Sequence, residues 1–149
     1  MTEPLLLEIK FVADPSWLST VRQRVRTAAA QLTADTGWVA DVVMAVNEAC
    51  MNVMQHAYKG DMAGEIVLKM RQVGAFLEIA LLDFAPPIAP DTIRPRALED
   101  LRPGGLGTHF IRALMDRCEY ANLAQGAGNI LRMHKRLVVD ARRAEVRAP

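Results

Sequence analysis

The chain has 149 residues, 51% of them hydrophobic and 23% charged, which excludes a disordered polypeptide and leaves room for one self-sufficient core. Its 18 Lys+Arg stand against 17 Asp+Glu, so the net charge of +1 is not that of a protein built to grip nucleic acid or an anionic membrane. No apolar run approaches the roughly 18 residues that cross a bilayer, and the opening MTEPLLLEIKF carries Glu3 and Glu8 with no basic n-region, which points to the cytoplasm.

Leu5, Leu7, Ile9 and Phe11 alternate as in a strand with one buried face. Asp14-Pro15 then offers a cap and a first-turn proline. Leu18, Val21, Val25, Ala28 and Leu32 recur at helical spacing, which predicts a helix to about Gln31, with Arg22 and Arg26 on its solvated face. After a polar break over 33–37, a second helix is predicted from about Val39 to Tyr58, with Val42, Val46, Ala49, Cys50, Val53 and Ala57 as its apolar stripe. Lys59-Gly60-Asp61 ends it. Two alternating runs, Ile66-Leu68-Met70 and Leu77-Ile79-Leu81, are joined near Val73-Gly74 and read as an antiparallel hairpin.

From Asp83 to Gly105 the pattern breaks. The stretch holds Pro86, Pro87, Pro90, Pro95 and Pro103 and little periodicity, as in a lid or binding loop. A third helix follows, with Phe110, Ile111, Leu114 and Met115 as its apolar positions. Two last strands, 118–123 and 130–137, flank the turn Gln125-Gly126-Ala127-Gly128. The whole reads as one domain over 1–139 with a polar tail at 140–149. Cys50 and Cys118 lack any CxxC spacing and read as buried thiols, while Trp17 and Trp38 read as core or interface anchors.

Three features bear chemistry. Glu48, Asn52 and His56 follow one another at i, i+4 on the middle helix. Such a stripe is either the wet side of a helix or a working pair, in which the carboxamide ligates Mg²⁺ and the carboxylate deprotonates a hydroxyl. Gly104-Gly105-Leu106-Gly107 precedes a helix, and serves either as a hinge or as a row of bare amides suited to phosphate. Asp83, at a strand end, is a turn cap or an acceptor for the amino group of adenine.

The order of these features resembles the histidine-kinase-like ATPase superfamily with its Bergerat fold. The N-box runs Glu48-Ala-Cys-Met-Asn52-Val-Met-Gln-His56-Ala-Tyr58. The second glycine box runs from Gly104 to Asp116, and the closing strand from Asn129 to Leu137. The motifs are similar to those of the anti-sigma-factor serine kinase branch. The first glycine box departs from the pattern: it reads Asp83-Phe84-Ala85-Pro86-Pro87, with Ala85 where the family carries glycine, and a left-handed φ there would strain alanine by on the order of 1 kcal/mol.

The resemblance implies a two-layer α/β sandwich, a mixed and mostly antiparallel sheet with three helices on one face. It implies ATP and Mg²⁺ as cofactors, Glu48 as general base, Asn52 as metal ligand and Asp83 against the adenine. Ala85, Gly104, Gly105, Leu106, Gly107, Thr108 and His109 would complete the nucleotide site, with Arg94, Arg96 and Arg102 in the lid either solvated or near the γ-phosphate. His56 would order the helix end, and His134 would be non-catalytic. The implied activity is a serine/threonine protein kinase and anti-sigma factor. Its partners would be a sigma factor and a STAS-domain antagonist, with a homodimer compatible and no direct contact to nucleic acid or membrane. A kinase-inactive ATP-binding domain and a nucleotide-free adaptor are the alternatives.

Overall fold

The structure is a computed structural model, and it describes residues 4–86, 96–97, 106–123 and 127–138, with 96–97 and 106–109 in backbone only. In chain order the elements are β1 (Leu5–Val12), a 3-10 turn (Pro15–Trp17), α1 (Leu18–Ala30), α2 (Thr36–Asn52), a π-helical turn (Val53–Ala57), β2 (Glu65–Val73), β3 (Phe76–Asp83), β4 (Arg96–Ala97), α3 (Leu106–Leu114), β5 (Arg117–Asn122) and β6 (Asn129–Arg136). The six strands form one sheet in the order β1-β2-β3-β6-β5-β4, and every described pairing is antiparallel. No helix among the described residues is long and apolar enough to cross a membrane.

Local signals explain most boundaries. The Asp14 side chain accepts from the Ser16 amide, and the Asp35 side chain from the Trp38 amide, so α2 begins at Thr36 rather than Val39. Gly74, at φ +58°, shapes the two-residue turn between Val73 and Phe76, and the register behind it runs unbroken to Ile66 opposite Asp83.

Register decides what the sheet presents to the helices. Leu7, Met70, Ile79 and Met133 form one buried cross-strand row, and Ile9, Leu68, Leu81 and Leu131 the next. These rows pack beneath Val21, Val25, Ala28, Val42, Val46 and Ala49 of α1 and α2 in one continuous core. The third row starts apolar, at Phe11 and Ile66, and turns polar at Asp83 and Asn129. The core side of the sheet thus ends in two buried polar residues, and that is where the candidate site begins.

Trp38 is buried, and its indole N–H donates to the Arg136 carbonyl at 2.9 Å, fastening the start of α2 to the end of β6. Trp17, by contrast, is 38% exposed, and its ring meets that of Phe11 at a centroid distance of 6.2 Å. Cys50 is fully buried and Cys118 half-buried, and both are unbridged thiols. Burial among apolar neighbours pushes the Cys50 thiol up to about 12.

Candidate functional site

The site grows from the C-terminal half of α2 and the adjoining ends of β3 and β6. Glu48 and Asn52, one turn apart on α2, are both half-buried. The helix does not continue regularly to Tyr58. From Val53 it widens into a π-helical turn, closed by the Tyr58 amide donating to the Val53 carbonyl at 2.9 Å. Lys59 and Gly60, at φ +52° and +87°, then reverse the chain. His56 lies on this widened turn. His56 is exposed and makes no hydrogen bond among the described residues, so the ordering of this helix end falls to Tyr58.

Asp83 closes β3 and is 2% exposed. A buried carboxylate is stable only with donors around it. Its Oδ1 accepts from the Asn129 side-chain amide at 2.9 Å and from the Ala85 backbone N–H at 3.1 Å. Asn129, 1% exposed, also reaches the Pro86 carbonyl at 3.4 Å, so one side chain grips the loop at two points. Gly128, just before it, runs hard against this corner: a Cβ there would lie 2.1 Å from the Asp83 carbonyl oxygen. On the far side, the Tyr58 hydroxyl accepts from the Phe84 amide at 2.8 Å.

Ala85 is buried beneath this corner, and Lys59 is the one non-glycine residue with positive φ among those described. The strain expected of alanine in the first glycine box is therefore absent, because the backbone there does not turn left-handed.

Glu48 faces a different space. It lines a cleft of about 410 Å³ between the three helices, together with Arg22, Arg26, Val43, Met44 and Phe110. Two sequence expectations change here. Arg22 is half-buried rather than solvated, and its guanidinium donates to Asn47 Oδ1 at 2.9 Å. Phe110 is 50% exposed rather than core, and with Met44, 48% exposed, gives the cleft an apolar lip.

Of the second glycine box, Gly104 and Gly105 lie outside the described residues, as do Arg94 and Arg102 of the lid. Leu106, Gly107, Thr108 and His109 form the first turn of α3. Arg96 lies in β4. His134 sits on the opposite sheet face with Nε2 3.1 Å from Glu78 Oε2, away from the Asp83 row.

Sequence reasoning gave Asn129 and Gly128 no role at the site. Their part depends on β6 lying beside β3, a pairing between residues 46 positions apart. Tyr58 stood inside the N-box, but no spacing announces that its hydroxyl crosses to the next loop.

The chain is similar to known proteins in sequence and in fold. A histidine kinase-like ATPase domain model matches residues 11–135. The serine-protein kinase RsbW of Halalkalibacterium halodurans is 30% identical over 146 residues, covering 93% of this chain and 87% of that protein. The serine-protein kinase RsbW of Bacillus subtilis is 27% identical over 124 residues, covering 78% of each. In three dimensions the chain matches a structure of the RsbU and RsbW domains of Rv1364c from Mycobacterium tuberculosis with a TM-score of 0.63 at 24% identity, over 92% of this chain and 34% of that one, a likeness of fold. With the helix pair, the buried Asp83 corner and these relatives together, the chain belongs to the histidine kinase-like ATPase domain family.

Proposed function

We propose that this protein is an ATP-dependent serine/threonine protein kinase and anti-sigma factor, which binds a sigma factor and phosphorylates the STAS-domain antagonist that competes for it. The observation that carries the reading is the Asp83 corner. A carboxylate with almost no exposure is held by Asn129 and the Ala85 amide, and the next residue, Phe84, is bonded to Tyr58 beyond the end of α2, the helix that bears Glu48 and Asn52. The RsbW kinases among its relatives support the same activity.

Bound ATP, with Mg²⁺ on its phosphates, would supply the phosphoryl group and neutralise the charge that develops on transfer. The chain's part is positioning and proton transfer. Asp83 accepts from the adenine amino group, a contact that guanine, with a carbonyl at that place, does not offer. Ala85 packs beneath it. Asn52 offers its carboxamide oxygen as a hard ligand. Gly104, Gly105, Leu106, Gly107, Thr108 and His109 would turn backbone amides toward the phosphates at the start of α3. Glu48 takes the proton of the acceptor serine, and its cleft between the helices is the side from which a protein acceptor reaches it.

The adaptor alternative drew on strain at Ala85, and no left-handed φ there supports it. A cytoplasmic location and a homodimer belong to the same proposed reading.

The test is calorimetric titration with Mg-ATP, then transfer of labelled phosphate to a STAS-domain protein. Glu48→Ala should slow transfer by about 10²–10⁴ while leaving ATP affinity within a few-fold. Equal loss of binding and transfer would remove Glu48 from the role of base. No binding of ATP by the wild-type protein would remove the kinase assignment itself.

A further inference from the structure

Tyr58 ends the N-box and stands where three segments meet. Its hydroxyl donates to the Glu65 carbonyl at 2.6 Å and accepts from the Phe84 amide at 2.8 Å. Both roles are forced, since a carbonyl can only accept and an amide N–H only donate. Glu65 opens β2 and Phe84 follows β3, whose last paired residues are Ile66 and Asp83. The hydroxyl therefore stands between the two strands one residue beyond their last pair, at the point where the chain leaves the sheet.

The seat of the ring is prepared from below. A Cβ on Gly64 would lie 2.4 Å from the Tyr58 ring, so glycine leaves the space the ring fills. The Gly64 carbonyl is itself fixed by the Ala13 amide at 2.7 Å. From the other side, Asn129 and Gly128 hold Asp83 and Pro86. The segment 83–86 is thus clamped on two flanks, and Tyr58 is the flank that belongs to the helix bearing Glu48 and Asn52.

We propose that Tyr58 is a positioning residue for nucleotide recognition: its hydroxyl sets the Phe84 backbone, and through it the Asp83 carboxylate, relative to the end of α2. This rests on the nucleotide-binding reading above. The hydroxyl touches neither base nor phosphate. It fixes the corner before the ligand arrives, so ordering that corner is not charged against binding.

Tyr58→Phe keeps the ring and removes both hydrogen bonds. In the nucleotide-free protein, amide exchange at Phe84 and Ala85 should quicken about tenfold or more. The Kd for Mg-ATP should rise roughly 10- to 100-fold, the scale of two lost hydrogen bonds, and the preference for ATP over GTP should shrink. Gly64→Ala, which displaces the ring with the hydroxyl still present, should reproduce the pattern.

A Tyr58→Phe protein with wild-type ATP affinity and wild-type ATP/GTP preference overturns the proposal. A lowered melting temperature with that preference unchanged also overturns it, because it assigns Tyr58 to folding alone. Wild-type protein that binds no ATP brings down the proposed function and this inference together. Wild-type binding with an unaffected variant brings down only this inference.

Discussion

Gly128→Ala probes the packing that builds the site. Gly128 has φ +151°, and a Cβ there would lie 2.1 Å from the Asp83 carbonyl oxygen and 2.9 Å from the Phe84 Cα. Both obstacles are backbone, so no side chain can rotate aside, and the β6 start and the 83–84 corner must part by roughly 1 Å. The unfavourable φ costs alanine about 1–3 kcal/mol. The forced separation adds about 1–3 kcal/mol as overpacking. A combined loss of about 2–6 kcal/mol is a large part of the roughly 5–15 kcal/mol that typically holds a domain together. At this length it corresponds to a fall in Tm of roughly 6–19 °C. Thermal unfolding followed by circular dichroism measures it directly. Because the Asn129–Asp83 hydrogen bond spans the same contact, ATP affinity should fall in the folded variant as well. A variant melting within about 2 °C of wild type would show that β6 approaches Asp83 less closely than described, and the reasoning about the corner would fail with it.

Trp38→Phe keeps an aromatic ring in the core but removes the part-buried hydrogen bond to the Arg136 carbonyl, and should cost about 0.5–1.5 kcal/mol in denaturant unfolding. No measurable change would show that water replaces the bond. Asn129→Leu removes the side-chain donor from the buried Asp83 carboxylate and should cost at least about 1–3 kcal/mol, with ATP affinity reduced beyond what the unfolded fraction accounts for. An unaltered affinity would separate Asn129 from the site. Burial raises the Cys50 thiol to about 12 from 9.0, so the folded state retains a proton that the unfolded state releases first. The stability this gives is whole below pH 9.0 and fades by about 1.4 kcal/mol per pH unit until the thiol ionises in the fold near 12. Cys50→Ala should flatten that alkaline decline, and a thiol reagent at pH 8 should reach Cys50 only after denaturation. Labelling of Cys50 in the native protein at a rate typical of an open thiol would contradict its burial.

Much of the molecule was legible in the amino-acid order. Alternation at Leu5–Phe11, Ile66–Met70 and Leu77–Leu81 marked strands, because a sheet covered on one face imposes a period of two. The stripe of Val42, Val46, Ala49 and Cys50 marked the central helix for the matching reason at 3.6 residues. The N-box and glycine boxes pointed to the family that the comparisons show.

Local pattern could not go further, since it carries no information on what lies across the fold. Arg22 and Phe110 each obey a helical period, yet the groove between α1, α2 and α3 buries half of the first and exposes half of the second. The π-helical turn that carries His56 and leads into Tyr58 leaves no periodic trace, because it breaks the period being read. Whether Ala85 is strained depended on a backbone angle, and that angle is fixed by Asp83, Asn129 and the loop between them. The carboxylate itself was visible in the sequence. One donor, the Ala85 amide, is local, but the other, the Asn129 side chain, comes from a strand 46 positions along the chain, and only tertiary packing, which must satisfy every polar group it buries, could choose it.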